Sequence, residues 1–104
     1  MTHQSWSQIS LTFSMTVPGH KLFIPKENNA HFVGRSYGMA YDYGNGKIKA
    51  GEIDGFNVGM NIGISAGQTI MWPHVHFIPR HKGDAKKIGG MRHAHPGADH
   101  KNYY

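Results

Sequence analysis

Two histidines one residue apart, His74 and His76, are the side chains of this 104-residue chain with the most chemistry to offer. A neutral imidazole nitrogen is a nucleophile near neutral pH, and an imidazolium is an acid in the same range. On a strand, this spacing puts both rings on one face. The first ring can then attack a phosphorus centre while the second donates a hydrogen bond to a phosphoryl oxygen. The product is a covalent nucleotidyl-histidine that water cleaves. The same spacing also suits zinc chelation, and it suits a structural pair. On spacing alone, metal ranks ahead of nucleophile, and the structural pair comes close behind.

The elements that must position this pair can be read from periodicity. Gln68 to Ile78 reads as a strand closed by Pro79, with Trp72, His74, His76 and Ile78 on one face and Met71, Val75 and Phe77 on the other. Pro73 has no donor for a ladder and marks an edge or an irregularity there. Upstream, Phe56, Val58, Met60, Ile62 and Ile64 alternate with Asn and Gly, which predicts a strand whose second face lets a ligand approach the backbone. Ile9, Leu11, Phe13 and Met15 predict a first strand, and Lys21 to Ile24 a second, ended by Pro25. Between them and the later strands, Val33, Tyr37, Ala40, Gly44 and Ile48 stack on one helical face. Asn28 or Asn29 can cap that helix, and Gly44-Asn45-Gly46 is where it would break. From His81 onward the chain is rich in Gly, His and Lys and has no period.

Composition narrows the options. The length suits one domain. There are no Cys residues, so disulfides and thiolate metal sites are excluded. No apolar run approaches the roughly 20 residues needed to cross a bilayer, and no apolar signal core occupies the first ten residues. A soluble, cytoplasmic protein is expected. The formal charge of +5 favours anionic partners, although a charge of that size also serves solubility. In the last quarter, His93, His95 and His100 could take up zinc adventitiously, and Lys86, Lys87 and Arg92 could meet a polyphosphate. Solvated side chains are the default for both sets.

The order of several segments is more specific than any one of them. Asp54-Gly55-Phe56-Asn57-Val58-Gly59 through Asn61, then Ala66-Gly67-Gln68-Thr69-Ile70, then His74-Val75-His76-Phe77-Ile78-Pro79-Arg80 closely resembles the histidine-triad (HIT) superfamily. Pro18-Gly19-His20-Lys21-Leu22-Phe23-Ile24-Pro25-Lys26 resembles that family's Gly-His strand. Gly83-Asp84 and Gly89-Gly90-Met91-Arg92-His93 are similar to the tail of bacterial members related to diadenosine-polyphosphate hydrolases. The resemblance covers roughly residues 9 to 104.

The resemblance implies an α+β fold, with a HIT-like antiparallel sheet of about five strands and one main helix. It also implies a homodimer, while length and the loss of period give a single domain over residues 1–104, with residues 81–104 an irregular tail packed on it. His74 falls at the nucleophile's position and His76 at the last of the triad. His20 matches a supporting histidine from the neighbouring strand. Asn61 and Thr69 match phosphate contacts, Gly67 and Gln68 lie in the loop that approaches the phosphate, and that loop's amides could bind an anion. The pattern departs from the family in two places. Trp72, followed by Pro73, stands where the first triad histidine would be, and Thr12 stands where a ribose-holding residue is usual. Trp72 has one N–H donor and no acceptor, so it can wall the pocket but cannot shuttle protons. The family's N-terminal segment is short or absent here.

The expected activity is hydrolysis at the α-phosphate of a dinucleoside polyphosphate or a nucleoside phosphoramidate, through a nucleotidyl-histidine. No cofactor is required at the nucleophile, and magnesium could accompany a polyphosphate substrate. The partner is a nucleotide or dinucleotide, with no membrane, and nucleic acid ranks last because no defensible aromatic stacking pattern is present. The alternatives are a non-catalytic nucleotide-binding module and a histidine-based metal-binding protein.

Overall fold

The computed structural model describes residues 8–13, 18–84 and 90–95. Four antiparallel strands form one sheet: β1 (Gln8–Phe13), β2 (His20–Pro25), β3 (Gly55–Gly59) and β4 (Val75–Arg80), in the order β1-β2-β4-β3. One helix, α1 (Ala30–Lys49), packs across β2, β3 and β4. This is the expected α+β arrangement, with four strands among the described residues where about five were expected. Residues 85–89 and 96–104 lie outside the described part. That takes in Lys86, Lys87 and His100 of the tail, while the described tail segment forms a 3-10 turn at Gly90–Ala94. No helix among the described residues is long and apolar enough to cross a membrane.

The cap of α1 is Asn29, in extended conformation, whose side-chain oxygen accepts from the Phe32 amide at 2.9 Å. Lys47 and Lys49 sit in the last turn, where cations suit the helix dipole. Gly51 stops the helix with φ +78°. Its amide donates to the Ile48 carbonyl, and the Glu52 amide donates to the Lys47 carbonyl, which is the Schellman arrangement.

The expected break at Gly44-Asn45-Gly46 does not occur; α1 runs through it. A Cβ at Gly44 would overlap the Phe56 ring, so the missing side chain is what lets helix and sheet close together there. The buried stripe is Ser36, Ala40 and Gly44, which leaves Tyr37 and Ile48 at the exposed margin rather than in the core as the spacing predicts. Ser36 is tolerated inside because its hydroxyl donates to the Phe32 carbonyl one turn back. Against this stripe lie Phe23, Val75 and Phe77, with Tyr43 edge-on to Phe77 at 5.0 Å between ring centroids.

Three strand boundaries, in β3 and β4, differ from the sequence reading. β3 ends at Gly59, whereas alternation runs on to Ile64. Ile62 and Ile64 are 73% and 81% exposed, and Ile64–Ala66 forms a 3-10 turn between Gly63 and Gly67, both at positive φ. β4 begins at Val75, so Trp72 and His74 precede the strand and do not extend it. Pro79 does not end β4 either. The pairing of β2 with β4 stops at Lys21↔Phe77, and β3 is served by the Arg80 carbonyl, which accepts from Asp54. Position 79 therefore turns its missing donor toward an unpaired stretch.

Candidate active site

The strand alternation sends Val75, Phe77 and Pro79 to the helix side and leaves His76, Ile78 and Arg80 on the other face. His20 comes to the same face from β2, two residues along from Leu22, which is the register partner of His76. This diagonal brings His20 Nε2 to 3.0 Å from His76 Nδ1. One nitrogen must hold the proton and the other the lone pair, so the contact exists only when at least one ring is neutral. Burial lowers the pKa of both rings, and for His76 the neighbouring His20 and His74 lower it further.

His74 stands immediately before β4, with its ring centroid 5.1 Å from that of His76. Its Nδ1 is 2.9 Å from the Trp72 carbonyl oxygen. A carbonyl only accepts, so Nδ1 carries the proton, and in the neutral ring Nε2 carries the lone pair. Trp72 is itself held: its Nε1 donates to the Pro25 carbonyl at 3.0 Å, tying the segment before β4 to the end of β2. Trp72 is nevertheless 46% exposed.

A cleft of about 500 Å³ opens on this face. His20, His76, Asn61 and Ile78 line it, with Asn57 and Gly59 of β3. The 3-10 turn at Gly90–Ala94 closes one side. Met91 lies over Gly59, where a Cβ would come 3.0 Å from its Cε, and Gly90 sits by Asn57. The Asn and Gly face of β3 thus meets the tail segment as well as the cleft. Sequence reasoning missed Met91 and Ile78 as lining residues; their apolar character carries no chemical signal. It also missed Arg80, which donates to Asn57 at 2.9 Å and pairs with Asp84 at 3.0 Å.

The loop between β3 and β4 is organised by Gln68. Its Oε1 accepts from the Gly63 amide at 2.7 Å, and its Nε2 donates to the carbonyls of Ile70 and Met71. The amides of Ala66, Gly67 and Gln68 also bond inside the loop. These three amides and that of Gly63 are therefore engaged within the loop and not turned to an anion, as the sequence reading expected of it. Gly67 lies beside Asn61, whose Nδ2 would be 4.0 Å from a Cβ there. The side chains of Asn61 and Thr69 are exposed and have no hydrogen-bond partner among the described residues. Thr12 falls in β1, opposite Lys21 in the register.

Among the described residues, no group of three or more His, Asp or Glu side chains is placed to hold a metal ion.

No family model and no solved structure matches the chain. It is 32% identical over 76 residues to an uncharacterized HIT-like protein of Methanocaldococcus jannaschii, an alignment that takes in 67% of this chain. The chain spans 59% of that protein's length. With the α+β fold and the histidine cluster, this similarity supports a relationship to the HIT superfamily.

Proposed function

We propose that this chain is a nucleotide hydrolase of the HIT type, related to the bacterial diadenosine-polyphosphate hydrolases. It cleaves at the α-phosphate of a dinucleoside polyphosphate or a nucleoside phosphoramidate. The observation that supports this most directly is the tautomer of His74: with Nδ1–H on the Trp72 carbonyl, Nε2 presents its lone pair as a nucleophile requires. Nε2 attacks phosphorus, the leaving group departs, and water releases the nucleoside monophosphate from the ring. His76, braced by His20, faces the phosphate, and Asn61 and Thr69 supply hydrogen bonds to its oxygens. No cofactor acts at the nucleophile, and magnesium would enter only with a polyphosphate.

The test is AMP release from diadenosine polyphosphate and from an adenosine phosphoramidate, with His74→Ala and a chelator as controls. AMP that needs His74 and survives chelation is the expected result. Full activity in His74→Ala would sink the reading.

One observation favours a second reading, a nucleotide-binding module without turnover: Trp72 replaces a titratable triad residue and its only donor is tied to Pro25. AMP would then raise the melting temperature while neither compound is cleaved. We also propose a cytoplasmic homodimer. The support for pairing is β3 at the edge of the described sheet and the exposed Tyr37, Tyr41 and Ile48 on α1. A monomeric mass in solution at micromolar concentration would count against it.

A further inference from the structure

On the face of the sheet away from α1, Arg80 fixes the orientation of a neighbouring amide. Its Nε and Nη2 donate to the two carboxylate oxygens of Asp84 at 3.3 and 3.0 Å, and its Nη1 donates to Asn57 Oδ1 at 2.9 Å. A guanidinium has donors only, so the Asn57 amide cannot turn over without setting its NH2 against an N–H. Oδ1 is therefore committed to Arg80, and Nδ2 is the group that Asn57 can offer to the cleft of about 500 Å³ that it lines. Nδ2 has no acceptor among the described residues. Gly90 lies beside it: a Cβ there would be 3.7 Å from Nδ2, so the missing side chain leaves the donor uncovered.

The surroundings of that donor suit a flat ring. Ile78 is the register partner of Asn57 and shares its face of the sheet. Met91, over Gly59, adds a thioether, which packs well against aromatic edges. His76 and Asn61 line the same cleft. Asn57 stands two residues along β3 from Gly59, the register partner of His76, which is a distance of about 7 Å. In a nucleotide, the ribose spans such an interval between phosphate and base.

Resting on the nucleotide reading proposed above, we infer that this cleft holds the nucleobase and that Asn57 selects its edge, favouring a 6-oxopurine over a 6-aminopurine. An asparagine reads adenine by pairing both of its polar atoms, Oδ1 with the exocyclic amine and Nδ2 with N7. Here Oδ1 faces a guanidinium, which repels an arriving amine, so that paired contact is closed. Nδ2 alone matches the O6 and N7 acceptors of a 6-oxopurine. An amine set against Nδ2 would leave two donors facing each other, and an unpaired donor costs more than the hydrogen bond it replaces. Arg80 is a positioning residue in this scheme: it sets the orientation of the amide without touching the base.

The experiment compares the affinities of inosine and adenosine 5′-monophosphates by calorimetry, since the two differ at the edge in question and neither requires turnover. The unmodified protein should bind the inosine nucleotide at least about 10-fold more tightly. The Asn57 side-chain amide signals should shift as it binds. Asn57→Asp keeps an oxygen for Arg80 and replaces Nδ2 by an acceptor. The preference should then reverse, with the added charge weakening both nucleotides alike. Arg80→Met frees the amide to turn over, so the two affinities should converge while both nucleotides still bind. If neither variant folds, the affinity ratio and the amide shift of the unmodified protein decide. Equal affinities, a preference for the adenosine nucleotide, or a preference that Asn57→Asp leaves as it was, overturns the inference while the nucleotide reading stands. If neither nucleotide binds, the nucleotide reading fails and takes the inference with it.

Discussion

His74 and Trp72 are joined by a hydrogen bond within one short segment, Nδ1 of the ring to the carbonyl oxygen two residues back, at 2.9 Å. The acceptor is backbone, so no substitution at Trp72 deletes it directly. Its position depends on where residue 72 is held, and that is fixed by the indole N–H on Pro25, 47 positions away in sequence. The tautomer of the proposed nucleophile is thereby linked to the end of β2.

The first prediction is spectroscopic. At mildly alkaline pH, nitrogen-15 spectra should show His74 as the Nδ1–H tautomer, with Nε2 unprotonated. Trp72→Phe should broaden or mix that signature, because the carbonyl loses its anchor. A pure Nε2–H tautomer in the unmodified protein would remove the lone pair from the proposed nucleophile.

A second prediction concerns pH and stability. His20 and His76 both have folded pKa values lowered from the ordinary 6.5, through burial first and, for His76, through His20 and His74 next. Below that value the unfolded chain binds more protons than the folded one, so stability rises with pH across the window. Their full contribution is present above about pH 6.5 and is lost progressively as pH falls toward the folded values. The melting temperature should therefore drop between about pH 8 and about pH 5, and the drop should shrink in a His20→Ala, His76→Ala double variant. An equal drop in that variant would place the titration elsewhere.

Much of the fold was legible in the sequence because α1 carries a helical spacing, β2 is a short apolar run closed by Pro25, and Asn29 is a good cap. The extent of β3 was not, since the alternation from Phe56 to Ile64 reads the same whether the later apolar residues are paired or exposed. What ends the strand is its partner: β4 starts at Val75, and the last register pair is Gly59↔His76. At the site, the His74 and His76 pair follows from spacing, and His20 came from resemblance alone. The hydrogen bonds that define their states were not legible. The Trp72 to Pro25 contact joins residues 47 positions apart, and the Gln68 contacts depend on the loop's turn at Gly63 and Gly67.

The helix glycines give a prediction with opposite signs. Gly34, Gly38 and Gly46 have open space where a Cβ would go, so alanine there should stabilise by up to about 1 kcal/mol through helix propensity. Gly44→Ala should instead destabilise by about 1–3 kcal/mol, because the new methyl meets the Phe56 ring and helix and sheet must part. Denaturant melts of the four single variants check this. A stabilised Gly44→Ala would mean that Phe56 has room to turn away.

Gln68 offers the last test, since it separates a loop organiser from a ligand contact. Its amide holds Gly63, Ile70 and Met71 together, three hydrogen bonds on an exposed loop. Each such bond contributes roughly 1 kcal/mol or less in net terms when water can replace it. Gln68→Ala should therefore lower global stability only modestly, by about 1 kcal/mol, while freeing the loop that carries Asn61 and Thr69. Hydrogen exchange should then quicken at the Gly63, Gly67 and Gln68 amides, with α1 and β4 unchanged. Nucleotide affinity should fall as well, because those two side chains would have to be ordered on binding. Gln68→Glu keeps the acceptor for Gly63 but loses the donor to Ile70 and Met71, so it should fall between the two. If Gln68→Ala weakened nucleotide binding without altering exchange in the loop, the side chain would be touching the ligand directly instead of holding the loop.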